Sequence, residues 1–281
     1  MDDIRHWLQN DLNTDIARFE RLSGGDICDT TRLITTDGRE LCVKQQDSAP
    51  RDFFIAEATG LAALRDTDTL RVPEVYEAQE HFIAMEYIAP ARRANDYWQR
   101  LGEGLARMHQ LPAPTFGFSI DNYCGRTPQP NPETPSGHEF FAEHRLMYQG
   151  RLAHEQGHLD SRELDALERL CTRLPTLLPE QPPALIHGDL WGGNIHGDEQ
   201  GHPVLIDPAT HWGWAEAEIA MTRLFGGFAP EFYEHYLAVN PLEPGWRDRT
   251  SLYNLYHLLN HLNLFGSSYY PQVIQVVTQY S

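Results

Sequence analysis

Between residues 185 and 207 the chain reads LIHGDLWGGNIHGDEQGHPVLID, and no other stretch restricts the possible fold so strongly. His187-Gly188-Asp189 is followed by Asn194, five positions after the aspartate, and Asp207 closes the apolar run Val204-Leu205-Ile206. Gly188 has no Cβ, so the backbone there can take turns that other residues avoid, and a tight loop of this kind holds a carboxylate rigidly. Asp, Asn and Gly are also ordinary turn residues, and any one of the three alone reads as a turn or strand end. Together, at this spacing, they read as a chemical site.

The D-x-x-x-x-N spacing is that of a phosphoryl-transfer loop. There the aspartate accepts the proton of the attacking hydroxyl and the asparagine ligates Mg²⁺. Asp207 supplies a second, carboxylate ligand. Such a reaction asks the protein chiefly for positioning and for positive charge against phosphate oxygens. The upstream text is consistent with that use. Short strand-like runs (RFERL, CDTTRLITT, ELCVKQ) are separated by Ser23-Gly24-Gly25-Asp26 and by Asp37-Gly38, and an Asp-Gly pair between such runs is a strong hairpin signal. Backbone amides at Gly24 and Gly25 can approach phosphates, although many hairpin turns carry paired glycines and bind nothing. Lys44 ends the apolar strand Leu41-Cys42-Val43, and Glu57 lies on a following helix with Phe53, Phe54, Ala58, Leu61 and Leu64. A strand lysine paired with a helix glutamate can hold the α and β phosphates of ATP. Two further strands, Val72 to Tyr76 and His81 to Ile88, complete a five-stranded antiparallel lobe. Met85, Glu86 and Tyr87 form its connector to the next lobe, where backbone groups can meet an adenine edge.

The formal charge of −18, from 22 basic and 40 acidic residues, repels nucleic acid and anionic membrane surfaces, so neither is expected as a partner. Arg92-Arg93 is the one basic pair. Cys28, Cys42, Cys124 and Cys171 show no metal spacing and read as reduced thiols of a cytoplasmic protein. The acidic, amphipathic start MDDIRHWLQNDL lacks the pattern of a signal peptide, and no apolar run approaches the ~20 residues of a membrane span.

From Trp98 the pattern turns helical, with Leu101, Leu105 and Met108 on one face. Residues 112 to 137 read as a loop with six prolines, a length that points to function or mobility. Further helices are expected at 139 to 157, 161 to 174, 215 to 225, 231 to 239, 246 to 265 and 271 to 279. His257 and His261 share a helix face, but Leu258 stands where the zinc-protease pattern H-E-x-x-H needs glutamate. Packing or lining a cleft is the better reading for both.

At this point the chain resembles the fructosamine kinase family, a branch of the protein-kinase-like and aminoglycoside-phosphotransferase-like fold. The likeness runs through GGDI (24 to 27), VKQ around Lys44, the helix with Glu57, FGF (116 to 118) and FFAEHRL (140 to 146). It continues through HGDLWGGN (187 to 194), PVLIDPA (203 to 209), AMTRLFGGF (220 to 228) and LYNLYHLLNHLNLFG (252 to 266). The resemblance implies an α+β, two-lobed protein-kinase-like fold. Residues 1–87 would form a nucleotide-binding lobe, a small antiparallel sheet with one main helix. Residues 88–281 would form a larger, mostly helical catalytic and substrate-binding lobe carrying the catalytic hairpin.

It further implies phosphorylation, with ATP and Mg²⁺, of a ketoamine's sugar hydroxyl, the 3-hydroxyl of a fructosamine or ribulosamine, borne on a small molecule or a glycated protein, so that the adduct is shed. Asp189 is then the base, Asn194 and Asp207 the metal ligands, and Lys44 with Glu57 the phosphate-binding pair. Trp191, Trp212, Glu216 and His261 are the candidates for contact with the acceptor. The chain departs from the family pattern at Gly192, where serine is usual, and at 213 to 218. There it reads GWAEAE in place of G-H-R-E-x-D, with Ala215 for arginine and Glu218 for aspartate. An aminoglycoside, choline or another amino-alcohol as acceptor, and a nucleotide-binding pseudokinase, are the alternative readings.

Overall fold

The computed structural model describes residues 2–22 and 28–281; the expected glycine turn at Gly24 and Gly25 lies outside them. The chain opens with α1 (Asp2–Asp11), β1 (Ile16–Arg21), β2 (Asp29–Thr35), β3 (Glu40–Gln45), α2 (Phe53–Arg65), β4 (Val75–Ala78) and β5 (Phe82–Glu86). The five strands form one sheet in the order β1-β2-β3-β5-β4, antiparallel throughout. Asp37-Gly38 turns β2 into β3, with Gly38 at φ +88°, a conformation that a glycine adopts without strain.

Alternation along β3 decides what each face of the sheet sees. Leu41 and Val43 face α1, which buries Ile4, Trp7 and Leu8 against them and against Leu33, Phe82 and Ala84. Cys42 packs on the other side, with Phe54, Leu61, Leu64, Ile83 and Met85 of the α2 face. Lys44, two residues on from Cys42, shares that side, and this parity brings it to Glu57.

The remainder is mostly helical. It comprises α3 (Tyr97–His109), the hairpin β6 (Asn122–Cys124) and β7 (Thr127–Gln129), α4 (Gly137–Phe141), α5 (Tyr148–Glu155) and α6 (Ser161–Leu177). Then come β8 (Ala184–Ile186), β9 (Ile195–Gly197), β10 (Pro203–Leu205), β11 (His211–Gly213), α7 (Ala215–Leu224), α8 (Pro230–Val239), α9 (Trp246–Phe265) and α10 (Tyr270–Tyr280). α6 starts with a capping box, Asp160 accepting from the Glu163 amide while the Glu163 side chain accepts from the Asp160 amide. The helix expected at 139 to 157 runs from Gly137 to Glu155, with a π-helical segment, Ala142–Met147, in its middle. The expected loop at 112 to 137 contains the β6–β7 hairpin. The large core gathers α4, α5, α6, α9 and α10 around Phe140, Phe141, Leu146, Leu167, Leu170, Leu259 and Leu262.

β8 pairs with β11 and β9 pairs with β10. The two connections between these pairs, residues 187–194 and 206–210, therefore run side by side. Ala209 N donates to His187 O (2.8 Å) and Ile206 N to Asn194 O (3.1 Å). The sheet-bearing half is fastened to this hairpin layer through Arg71, whose carbonyl accepts from Leu205 N (3.0 Å). Its guanidinium meets Asp198 (2.9 Å), Glu199 (2.8 Å) and Glu86 (2.8 Å).

Candidate active site

Lys44 Nζ reaches Glu57 Oε1 at 2.5 Å and also bonds Asp207 Oδ1. The lysine and Glu57 are nearly buried, while the Asp207 side chain is 44% exposed. Burial lowers the lysine's proton affinity, but the two carboxylates outweigh it and the net shift is upward. Lys44 is therefore a fixed positive charge. Glu57 is shifted upward as well, its proton affinity raised by burial and held back by Lys44. Asp207 takes φ +55°, in the left-handed region that aspartate enters more readily than most side chains.

Asp189 hangs from a loop that is constrained. Gly188 has φ +83°, and a Cβ there would stand 2.1 Å from Ala209 O, so the close approach of the two connections requires glycine. Asn194 Nδ2 donates to Asp189 O (2.8 Å), Asp189 Oδ2 (3.2 Å) and Asp207 O (3.4 Å). Its amide oxygen takes none of these bonds. Burial, reinforced by the charge of Asp207 and opposed by the Asn194 bond, pushes the Asp189 carboxyl up to about 7.

Beneath the loop lies Glu218 on α7. Its Oε2 accepts from His187 N (2.8 Å) and its Oε1 from Gly188 N (2.8 Å). His109 Nε2 donates to Oε2 at 3.1 Å, and His109 Nδ1 meets the Tyr236 hydroxyl at 2.7 Å. His187 Nε2 donates to Ile206 O (2.8 Å), tying the two connections together again. Two backbone amides of a loop that bends away from regular structure are thus satisfied by one buried carboxylate.

The Lys44, Glu57, Asp189, Asn194 and Asp207 side chains border one cavity of about 520 Å³. Trp191, 40% exposed, and His261 also line it. His261 Nδ1 donates to the His257 carbonyl (2.8 Å), and its ring sits among Phe225 (5.0 Å), Phe265 (5.4 Å) and Tyr269 (5.0 Å). Cys28, Asn122, Tyr123, Cys124 and Asn260 complete much of the wall.

Other sequence candidates are placed elsewhere. Met85 is buried in the core, the Glu86 carboxylate is taken by Arg71, and Tyr87 lies under the Arg32 guanidinium at 4.6 Å. None of these three side chains borders the cavity. Trp212 belongs to β11, exchanging backbone bonds with Gly117 (2.8 and 3.0 Å), and packs into the core beside α3. Glu216, 2% exposed, is held by both arms of Arg249 at 2.7 and 2.9 Å. Neither lines the cavity. The sequence reading missed the part played by Glu218 and His109. The one signal in the sequence is that an acid stands at 218, where the family pattern also has one.

The family model described as fructosamine kinase matches residues 1–281. A protein named probable ketoamine kinase from Synechocystis sp. is 42% identical over 274 residues, covering 94% of this chain and 90% of its own. The chloroplastic protein-ribulosamine 3-kinase of Oryza sativa subsp. japonica is 38% identical over 289 residues, covering 99% and 83%. A crystal structure of a protein designated fructosamine-3-kinase from Thermobifida fusca superposes with a TM-score of 0.90 at 32% identity, covering 99% and 98% of the two chains. An ADP-bound aminoglycoside phosphotransferase, at 15% identity and a TM-score of 0.62 over 99% of this chain and 96% of its own, shares the fold.

Proposed function

The chain belongs to the fructosamine kinase family, and from that premise we propose how its cleft divides the work. It is an ATP-dependent kinase of a sugar hydroxyl, of fructosamine or ribulosamine type. The supporting observation is convergence: Lys44 of β3 and Glu57 of α2 border one cavity with Asp189, Asn194 and Asp207 of the distant 187–207 stretch.

In this reading Lys44, kept charged and oriented by Glu57, meets the α and β phosphates of ATP. The exposed Asp207 carboxylate and the Asn194 amide oxygen are hard donors suited to Mg²⁺. Bound there, Mg²⁺ supplies charge neutralisation at the phosphate oxygens. Asp189 accepts a hydrogen bond from the acceptor's 3-hydroxyl and orients that oxygen toward the γ-phosphorus. As the new P–O bond forms and the bond to the ADP oxygen breaks, the hydroxyl proton passes to Asp189. Trp191 and His261 supply an aromatic wall for a ketoamine carried on a small molecule or a glycated protein. The four free cysteines and the use of ATP fit the cytoplasm. Among the described residues no helix is long and apolar enough to cross a membrane.

The test is ADP release with ribulosyl-lysine and fructosyl-lysine, run beside an aminoglycoside and choline, with Asp189→Asn as control. Turnover on the ketoamines that disappears in the control is expected. Turnover only on another acceptor would remove the ketoamine assignment, and near-normal turnover in Asp189→Asn would remove the base.

A further inference from the structure

Behind the base sits a group of side chains that the transfer reaction leaves unused. Cys124 ends β6, His257 lies on α9, and with Asp189 they present three donor atoms all within 4.8 Å of one another. Cys124 is 2% and His257 6% exposed. Asn260 Nδ2 donates to the Cys124 sulphur at 3.3 Å. His257 Nδ1 is buried and has no hydrogen-bond partner among the described residues. A buried, unpartnered ring nitrogen is uncommon and calls for a reason. His261, one turn further along α9, is not one of the three; its Nδ1 donates to the His257 carbonyl.

We propose that Cys124, Asp189 and His257 form a site for a soft divalent cation, Zn²⁺ foremost, whose binding blocks phosphoryl transfer by occupying the carboxylate of the base. Sulphur, imidazole nitrogen and carboxylate oxygen make a zinc donor set. It differs from the oxygen donors of Asn194 and Asp207, which suit Mg²⁺. Zinc bonds of about 2.0–2.3 Å place tetrahedral ligands roughly 3.3–3.8 Å apart, so side-chain shifts on the order of an ångström close the site. Cys124 and Asp189 border the large cavity, which offers an entry path and room for water as fourth ligand. Binding forms the zinc–sulphur bond as the Cys124 thiol loses its proton to solvent. The site itself stands on geometry; only the inhibition rests on Asp189 being the base.

The experiment uses the full chain. Zn²⁺ is titrated into ketoamine-dependent ADP release at saturating ATP and excess Mg²⁺. Co²⁺ is titrated separately into nucleotide-free protein while its thiolate absorption is followed. Inhibition reversed by a zinc-selective chelator is expected, with the absorption saturating at one equivalent of Co²⁺. Cys124→Ser and His257→Gln should each abolish the absorption and raise the Zn²⁺ needed by at least about 100-fold, the upper end of what losing an outer-shell partner costs a metal site. Cys28→Ser, whose thiol lines the same cavity, should change neither. Should Cys124→Ser not fold, His257→Gln carries the same comparison. No thiolate absorption, inhibition unchanged in the folded variants, or loss of both signals in Cys28→Ser would each overturn the site. Saturating thiolate absorption in a protein with no kinase turnover would support the site and strike down the function proposed above.

Discussion

Glu218→Gln isolates the device that shapes the catalytic loop. In the native protein the carboxylate receives three donors, the amides of His187 and Gly188 and the His109 ring. A glutamine can keep its oxygen toward His187 and His109, but its NH₂ then faces the Gly188 amide, donor against donor. One buried amide left unpaired costs about 1–3 kcal/mol, and two bonds that lose their charged acceptor weaken by about 1 kcal/mol each. The sum is on the order of 3–5 kcal/mol, a large part of the ~5–15 kcal/mol by which domains are stable. At about 2 °C per kcal/mol for a chain of this size the melting temperature should drop by roughly 6–10 °C. The loop carries Asp189, and a shift of about 1 Å in a reacting group costs on the order of 100-fold, so turnover should fall by at least that factor in protein that remains folded.

The pH dependence gives the argument a second edge. Burial alone would raise the Glu218 carboxyl, but the His109 bond, the nearby histidines and the His187 amide outweigh it, and its pKa is lowered. A depressed carboxylate contributes stability above its unfolded pKa and loses it as the pH falls through the folded value. The gap in melting temperature between native protein and Glu218→Gln should therefore be full at neutral pH and narrow in acid. Thermal unfolding from pH 7 down to about pH 3, below the ordinary glutamate pKa of about 4.3, with ADP release at pH 7, makes the check. An unchanged melting temperature with unchanged turnover would refute the clamp.

Lys44→Met leaves Glu57 buried beside an apolar side chain, and breaking a buried pair by removing one partner costs about 3–5 kcal/mol; a lower melting temperature and loss of ATP turnover are expected, and Glu57→Gln in the same background should recover stability without recovering turnover. Gly192→Ser is the opposite case. A Cβ there meets nothing nearer than Gly226 O at 3.6 Å, ordinary contact, so stability within about 0.5 kcal/mol of native and retained ketoamine turnover are expected, read by melting temperature and ADP release.

What the sequence made legible is what local pattern encodes. Alternating apolar residues and the Asp37-Gly38 turn specify β2 and β3, and the same alternation assigns Lys44 to the face that meets Glu57. The helical period places α9 at residues 246 to 265, as found. Gly188 announces a tight approach because nothing else fits 2.1 Å from a carbonyl. Glu218 and His109 carry no such mark. They stand 109 positions apart, and an acid at the start of a helix looks the same whether it caps, solvates or reaches under a loop. Glu216, two residues away, illustrates the ambiguity, since its carboxylate is consumed by Arg249.

The proline-rich segment at 112 to 137 shows the same limit from the other side. Its length points to function or mobility, and it is bolted down by polar side chains that single-residue patterns do not reveal. Arg145, in the π-helical segment and 1% exposed, donates to Pro130 O (2.7 Å) and Asn131 Oδ1 (2.6 Å). Its guanidinium lies over the Phe140 ring at 4.4 Å. Burial pulls its pKa down to about 10, so it stays charged at neutral pH with carbonyl and amide oxygens as its bonded partners. Asn131 passes the restraint to Asn122 (2.9 Å), Asn122 to Thr210 O (2.8 Å), and Gln129 to Ala209 O (3.1 Å). These last two carbonyls belong to the connection that carries Asp207. The hairpin that supplies Cys124 to the cavity wall is therefore fixed to the same backbone that positions the proposed metal carboxylate, and the π-helical turn is where the chain places the buried cation that joins them.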